Sequence, residues 1–440
     1  MRRAEYNDLA LKKLPIRRLF AGLAIALGIA ALAIGGLSLP WHGRRPAEPA
    51  RLLASSGGSG PLRAGAASRE IALAPGAPIG GFARADWTSA GVRHPVSARA
   101  LYLEVPGCRA VIVSAELLLI TEPLAREVQR RVADLGLSAV LVGATHTHAG
   151  PGGYWDDAFV ERIGLGPYDA RILAAITDAI VAAIRGAAAA AAPARVAVAR
   201  GLAEGLVRSR SHGRLDARML SLRIAGADGS PLAELLIFAA HPTTLGKGNR
   251  FISGDWPGRL GATPERGLRL VLQGAIGDQS ARIYGDRPTR PDRYAALVEQ
   301  ADRGLAPSEP FQDATLAVAS AAVTLPELSP GGVPAWLRRA VATVAWGSLP
   351  ATATVTALKL GPIRLIAVPA EPTAEIAEGW RSAAGPGSDI VSLVGGYVGY
   401  VDTPERTRSG DGEAVRTYYG PELAARLESA VVAASRALAP

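Results

Sequence analysis

The chain has 440 residues and only six histidines, and three of those stand in short motifs that could hold a metal. His146 and His148 are two positions apart in Ala144-Thr145-His146-Thr147-His148. In an extended segment, residues two apart point to one face, so both imidazoles could reach one ion. A nitrogen from His241 and an oxygen from Glu371 would complete a borderline-soft donor set suited to zinc. Zinc in such a set polarises a carbonyl and activates water, which is the chemistry of a hydrolase. On the His-x-His alone, a pair of hydrogen-bonded imidazoles lining a turn is an equal reading. The following Gly150-Pro151-Gly152-Gly153-Tyr154 reads as a plain turn. It also reads as a loop in which Gly152, Gly153 and Tyr154 let a substrate approach the backbone amides.

The elements that must position these residues are apolar runs. Val140–Ala144 leads into His146 and His148, and Leu235–Ala240 into His241. Leu365–Ala370 leads into Glu371, and Val391–Gly396 into Tyr397 and Tyr400. Leu270–Ile276 leads into Asp278 and Ser280. Five predicted strands therefore deliver polar side chains just past their carboxyl ends, where sites assemble in α/β folds. Further strands are expected at 100–105, 110–114, 195–199, 219–224, 316–324, 351–360 and 363–368. Helices are expected over 122–135, 168–192 and 422–438. The mixture predicts an α/β protein with mixed central sheets flanked by helices. It forms one large catalytic domain, 70–440, behind an amino-terminal transmembrane helix.

That helix is Leu19–Leu39, a run long enough to cross a bilayer core. Residues 1–18 form a basic tail with Arg17 and Arg18 at its end, so the amino terminus is expected in the cytoplasm and the catalytic body outside the membrane. A cleaved signal peptide is the competing reading. Residues 40–69, rich in Gly, Ser, Pro and Ala, are expected to be a flexible linker. The formal charge is +9, carried by scattered Arg with no basic run interleaved with aromatics, so nucleic acid is not an expected partner. Cys108 is the single cysteine, which excludes an intrachain disulfide and reads as a small buried residue.

Several blocks, in order, resemble the neutral/alkaline non-lysosomal ceramidases. They are Pro78–Phe82, Val96–Leu101, Ala144–Tyr154, Val207-Arg208-Ser209 and Leu215–Leu220. His241–Thr244 with Ile252–Asp255, Gly277–Ser280, Val368–Thr373, Tyr397–Tyr400 and Tyr419–Pro421 complete the series. The resemblance implies zinc held by His146, His241, Glu371 and Tyr400. It implies catalytic roles for His148, Arg208 and Ser280, and an amide substrate such as ceramide or a related N-acyl lipid. A hydrolase of another amide or ester, or a non-catalytic lipid-binding relative, are the alternatives. Three departures stand out. A further family tyrosine falls at Gly412, an aspartate is replaced by Glu116, and no counterpart of the immunoglobulin-like carboxyl-terminal domain of longer relatives is read.

Overall fold

A computed structural model describes residues 28, 30, 48–157, 160–211, 214–261, 266–282, 289–329, 331 and 349–438. Two mixed sheets face each other. The larger contains β2 (Arg63–Glu70), β4 (Ser97–Val105), β5 (Cys108–Ala115), β6 (Ala139–Ala144), β7 (Ala192–Leu202), β9 (Arg218–Gly226), β10 (Pro231–Phe238) and β12 (Leu268–Leu272). Their order is β12-β10-β9-β7-β2-β4-β5-β6, parallel at the two end pairs and antiparallel between. The smaller sheet runs β1 (Arg51–Pro61), β14 (Asp313–Thr324), β15 (Thr352–Leu360), β16 (Ile363–Ala367) and β18 (Ser388–Val391). Three short ladders complete the strands, β3 (Gly91–Val92) with β11 (Phe251–Ile252), β8 (Val207–Ser209) with β13 (Gln279–Ala281), and β17 (Glu371–Pro372) with β19 (Tyr400–Val401), and isolated bridges such as Gly143 with Val394 tie the two sheets.

Alternation along the strands explains the layers. Leu101, Leu103 and Val105 of β4 pack with Leu235 and Ile237 of β10 against Leu316 and Val318 of β14 and Leu358 of β15, between the sheets. The opposite-parity residues of β4, Ala98, Ala100 and Tyr102, face α1 (Glu122–Arg131) and α2 (Ala170–Ala189). Ala317, Ala319 and Ala321 of β14 face α5 (Ala374–Ala384) and α6 (Leu423–Arg436). Trp256 of α3 (Asp255–Leu260) and Tyr294 of α4 (Arg290–Arg303) cover Leu236 and Phe238 of β10. Both faces of the central strands are thus buried, which is why they read as continuous apolar runs rather than alternating ones.

The predicted helix over 168–192 is α2, started by Asp169, whose carboxylate accepts from the Arg171 amide. Among the described residues it is the one helix long and apolar enough to cross a membrane, but half of it is buried against the large sheet, as a core helix is. The Leu19–Leu39 segment lies outside the described residues, apart from Gly28 and Ala30.

The linker reading of 40–69 is corrected. Residues 51–61 and 63–70 are strands, one in each sheet, and only Leu62 separates them. β1 runs antiparallel along all of β14, and β2 along β4. The composition that resembles a linker answers to close packing. A Cβ on Gly58 would stand 1.9 Å from the Pro106 carbonyl oxygen, and one on Gly65 would stand 2.2 Å from that of Ala187. Small residues are there because neighbouring backbone occupies the space.

Candidate metal centre

β6 ends at Ala144 and β10 at Phe238, and the residues that follow converge. Gln273, fully buried just past β12, ties them together. Its side-chain amide donates to the Thr145 carbonyl at 2.8 Å, and its oxygen accepts from the Ala240 amide at 3.2 Å. The short β17–β19 ladder, which follows β16 and β18 of the smaller sheet, contributes Glu371 and Tyr400 as direct register partners. His146 takes a left-handed backbone, φ 67°, uncommon outside glycine. The His-x-His segment is therefore kinked, not extended as expected. Its two imidazoles still meet, with perpendicular rings and Nε2 atoms 3.3 Å apart.

Four donor atoms face one another. His146 Nε2 is 3.2 Å from His241 Nε2 and 3.2 Å from Glu371 Oε2. His241 Nε2 is 3.3 Å from Glu371 Oε2 and 3.2 Å from the Tyr400 hydroxyl. The Nδ1 of His146 lies 2.7 Å from the Leu118 carbonyl, and that of His241 lies 2.9 Å from the Gln279 carbonyl. A carbonyl only accepts, so each Nδ1 carries a proton and each Nε2 faces the cluster, where an unprotonated nitrogen presents a lone pair. Burial, then the Arg210 charge, pushes His241 down to about 3, so it is neutral.

Two lone pairs and a carboxylate oxygen therefore point at each other in the interior, and Glu371 Oε2 has no hydrogen-bond donor. Such an arrangement is repulsive without a cation. Donors about 2.0–2.1 Å from a tetrahedral centre stand about 3.3–3.4 Å apart, close to the spacing here. Carbonyl acceptors behind metal-facing imidazoles are also the usual outer support of a metal site. Tyr397 adds to it, donating to Glu371 Oε1 at 2.8 Å. His146, His148 and His241 form a group that could hold a metal ion.

His148 is half-buried, and its Nδ1 has no hydrogen-bond partner. Burial, then the neighbouring imidazoles, holds its pKa well below the usual histidine value. A cavity of about 330 Å³ opens beside it. Phe82, Leu118, Leu119, Trp155 and Leu165 form an apolar wall, and Arg210, Arg416 and Tyr418 a polar one. Burial, then the Glu371 charge, pushes the Tyr418 phenol up to about 12.

Some expected site residues fall elsewhere. Arg208 lies in β8 opposite Ser280 and is exposed. The guanidinium at the cluster belongs to Arg210, just past the strand. Its Nη2 donates to the Gly277 carbonyl and approaches the Tyr400 hydroxyl at 3.4 Å and Glu413 at 3.2 Å. The β8 pairing faces Arg208 outward, and the chain turns inward only after Ser209. Ser280 is buried and bridges His241 through the backbone, without lining the cavity. Gly152, Gly153 and Tyr154 pack behind it. A Cβ on Gly152 would meet the Leu165 carbonyl at 2.0 Å, Gly153 has φ 74°, and the Tyr154 hydroxyl donates to the Leu119 carbonyl at 3.1 Å. Gly412 opens a short 3-10 turn, and Tyr418, six positions on, brings a phenol to the cavity. Gln273, Glu413, Arg416 and Tyr418 had no motif to announce them, since each acts through a tertiary contact.

Residues 72–271 match the family model described as neutral/alkaline non-lysosomal ceramidase, N-terminal. The match covers 200 of the 440 residues. The neutral ceramidase of Mycobacterium tuberculosis is 30% identical over 199 residues, covering 40% of this chain and 31% of that protein. Neutral ceramidase B of Dictyostelium discoideum is 28% identical over 197 residues, 40% of this chain and 27% of that protein. The match thus spans about a third of these ceramidases' length. In fold, the chain is similar to the crystal structure of neutral ceramidase from Pseudomonas aeruginosa, with a TM-score of 0.73 at 20% identity, covering 86% of this chain and 74% of that one. The ceramidase segment contains His146, His148 and His241, while Glu371 and Tyr400 lie beyond it.

Proposed function

We propose that this chain is a zinc-dependent amidohydrolase acting on an N-acyl lipid, ceramide or a relative. The observation that carries the proposal is the convergence of His146, His241, Glu371 and Tyr400 on one point, with lone pairs inward and a carboxylate unmatched. These four would hold zinc, and bound there it supplies a Lewis acid that polarises the amide carbonyl and activates water. His148, neutral and beside the cluster, accepts a proton from the attacking water and returns it to the leaving nitrogen. Arg210 sets a fixed positive charge beside the Tyr400 hydroxyl, where it stabilises negative charge developing on the carbonyl oxygen. The apolar wall of Phe82, Leu118 and Leu119 takes the acyl chain and keeps water from it. The Leu19–Leu39 run supports a membrane-anchored enzyme whose catalytic body lies outside the cytoplasm.

Elemental analysis of the purified full-length chain beside His241→Ala tests the reading. Near one zinc per wild-type chain and near none in the variant is the expected result. A wild type that takes up no zinc after reconstitution would overturn the catalytic reading and leave a lipid-binding relative.

A further inference from the structure

The polar wall of the cavity carries two guanidiniums, of Arg210 and Arg416, that share one carboxylate, and Glu371 of the candidate metal cluster is the other acid acting on Arg210. Glu413, almost fully buried, is shared by two guanidiniums. Arg210 Nε lies 3.2 Å from its Oε1, and Arg416 Nη1 pairs closely with its Oε2. Both guanidiniums also flank one ring, with their central carbons 5.7 Å and 5.9 Å from the Tyr400 centroid. The Tyr400 hydroxyl is the group facing His241. Among the described residues, Arg416 pairs only with Glu413 and the Tyr400 ring, and its side chain is 55% exposed while lining the cavity. Its guanidinium is thus accessible beside the cavity.

We propose that the site selects N-acyl amines whose amine half carries an anion, carboxylate or phosphate, held by Arg416 with Arg210. The inference rests on the amidase reading above and narrows its substrate. An oxyanion there accepts charge-assisted, fork-like hydrogen bonds from a guanidinium, which a neutral hydroxyl accepts only weakly. The two guanidiniums border the ring whose hydroxyl reaches the cluster, so the anion sits next to the scissile amide, as in an N-acyl amino acid. The acyl chain then runs along Phe82, Leu118 and Leu119. Hydrolysis adds water across the amide: its oxygen bonds to the acyl carbon, the C–N bond breaks, and a proton passes to the nitrogen. The products are a fatty acid and an anionic amine.

The test compares three substrates of equal chain length on the full-length enzyme: N-dodecanoylglycine, N-dodecanoyl-O-phosphoethanolamine and the neutral N-dodecanoylethanolamine. Wild type is expected to favour at least one anionic substrate by about tenfold in kcat/KM. Arg416→Gln should remove that preference through KM, and Arg416→Lys should restore part of it. Preference for the glycine conjugate assigns a carboxylate, and preference for the phospho-conjugate a phosphate. Equilibrium binding of two non-hydrolysable ligands, dodecyloxyacetate and 2-(dodecyloxy)ethanol, reads the same selectivity without turnover. The carboxylate should bind wild type about tenfold more tightly than Arg416→Gln, with no such difference for the alcohol. Turnover of all three substrates with no anionic preference would overturn this inference and leave the amidase reading standing. Selective binding without turnover would support it while overturning the amidase reading. Binding that does not change in Arg416→Gln would overturn it outright.

Discussion

Arg269 and Glu371 are both buried ionic side chains, and their surroundings differ in sign logic. Arg269, in β12, reaches Glu234 at 2.7 Å, Glu299 at 2.5 Å and Asp302 at 3.2 Å. Arg266 lies 3.1 Å from Glu234 and 2.8 Å from Asp302, and Arg223 lies 3.4 Å from Asp302. With Arg303 reaching Glu299 at 2.8 Å from the surface, four guanidiniums meet three carboxylates, and every carboxylate has a cationic partner within the chain. Glu371 meets two imidazole nitrogens whose opposite ring nitrogens are turned to carbonyls, so its cluster is built to take something from outside the chain. A buried network complete in itself is part of the scaffold, whereas one that is incomplete in a particular geometry is a place to bind.

The contrast can be broken most forcefully at Arg269. Arg269→Leu removes the fully buried guanidinium shared by Glu234, Glu299 and Asp302 and leaves Glu234 and Asp302 only the more exposed Arg266 and Arg223, and urea denaturation should show a loss of about 3–5 kcal/mol. A loss below about 1 kcal/mol would mean that the network does not hold the fold. Glu371→Gln should act on the metal instead: competition with a chelator should show zinc affinity down about a hundredfold, or about 2.7 kcal/mol. In metal-stripped protein, the same variant should be at least as stable as wild type, because an uncompensated charge has gone. If stripped Glu371→Gln unfolds more readily, the cluster is structural after all. Tyr397→Phe removes the hydroxyl that supports Glu371 Oε1, and the same competition should show roughly a tenfold loss of zinc affinity. The smallest effect is expected at the exposed Arg208. Arg208→Ala should change stability by no more than about 0.5 kcal/mol and leave turnover near wild type. A large loss of turnover there would restore Arg208 to the site in place of Arg210.

Much of this was legible before any coordinates. The strands over 139–144 and 268–272 coincide with β6 and β12, because a strand buried on both faces writes an uninterrupted apolar run. The rule that polar residues just past such runs gather at a site holds for His146, His241, Glu371 and Tyr400, which the structure brings together. It fails for Ser280, which is buried without lining the cavity, while Asp278 accepts from the Ala374 amide at the start of α5. Arg208 and Arg210 are two positions apart with the same side chain, and the β8–β13 register alone decides which faces the cavity. The kink at His146 is written nowhere in residue type, since histidine seldom adopts that backbone. β1 and β2 were hidden for the opposite reason: where backbone crowds backbone, small residues are required, and the text they leave resembles flexible chain.

The position of β1 also sets a length. With the folded body beginning at Arg51 rather than at residue 70, the chain between Leu39 and the first strand shortens to residues 40–50. Fully extended, the expected tether of 40–69 could reach about 100 Å, and 40–50 about 40 Å. Anchored through Leu19–Leu39, the enzyme would work on a short leash, able to pivot over the bilayer surface but not to leave its neighbourhood.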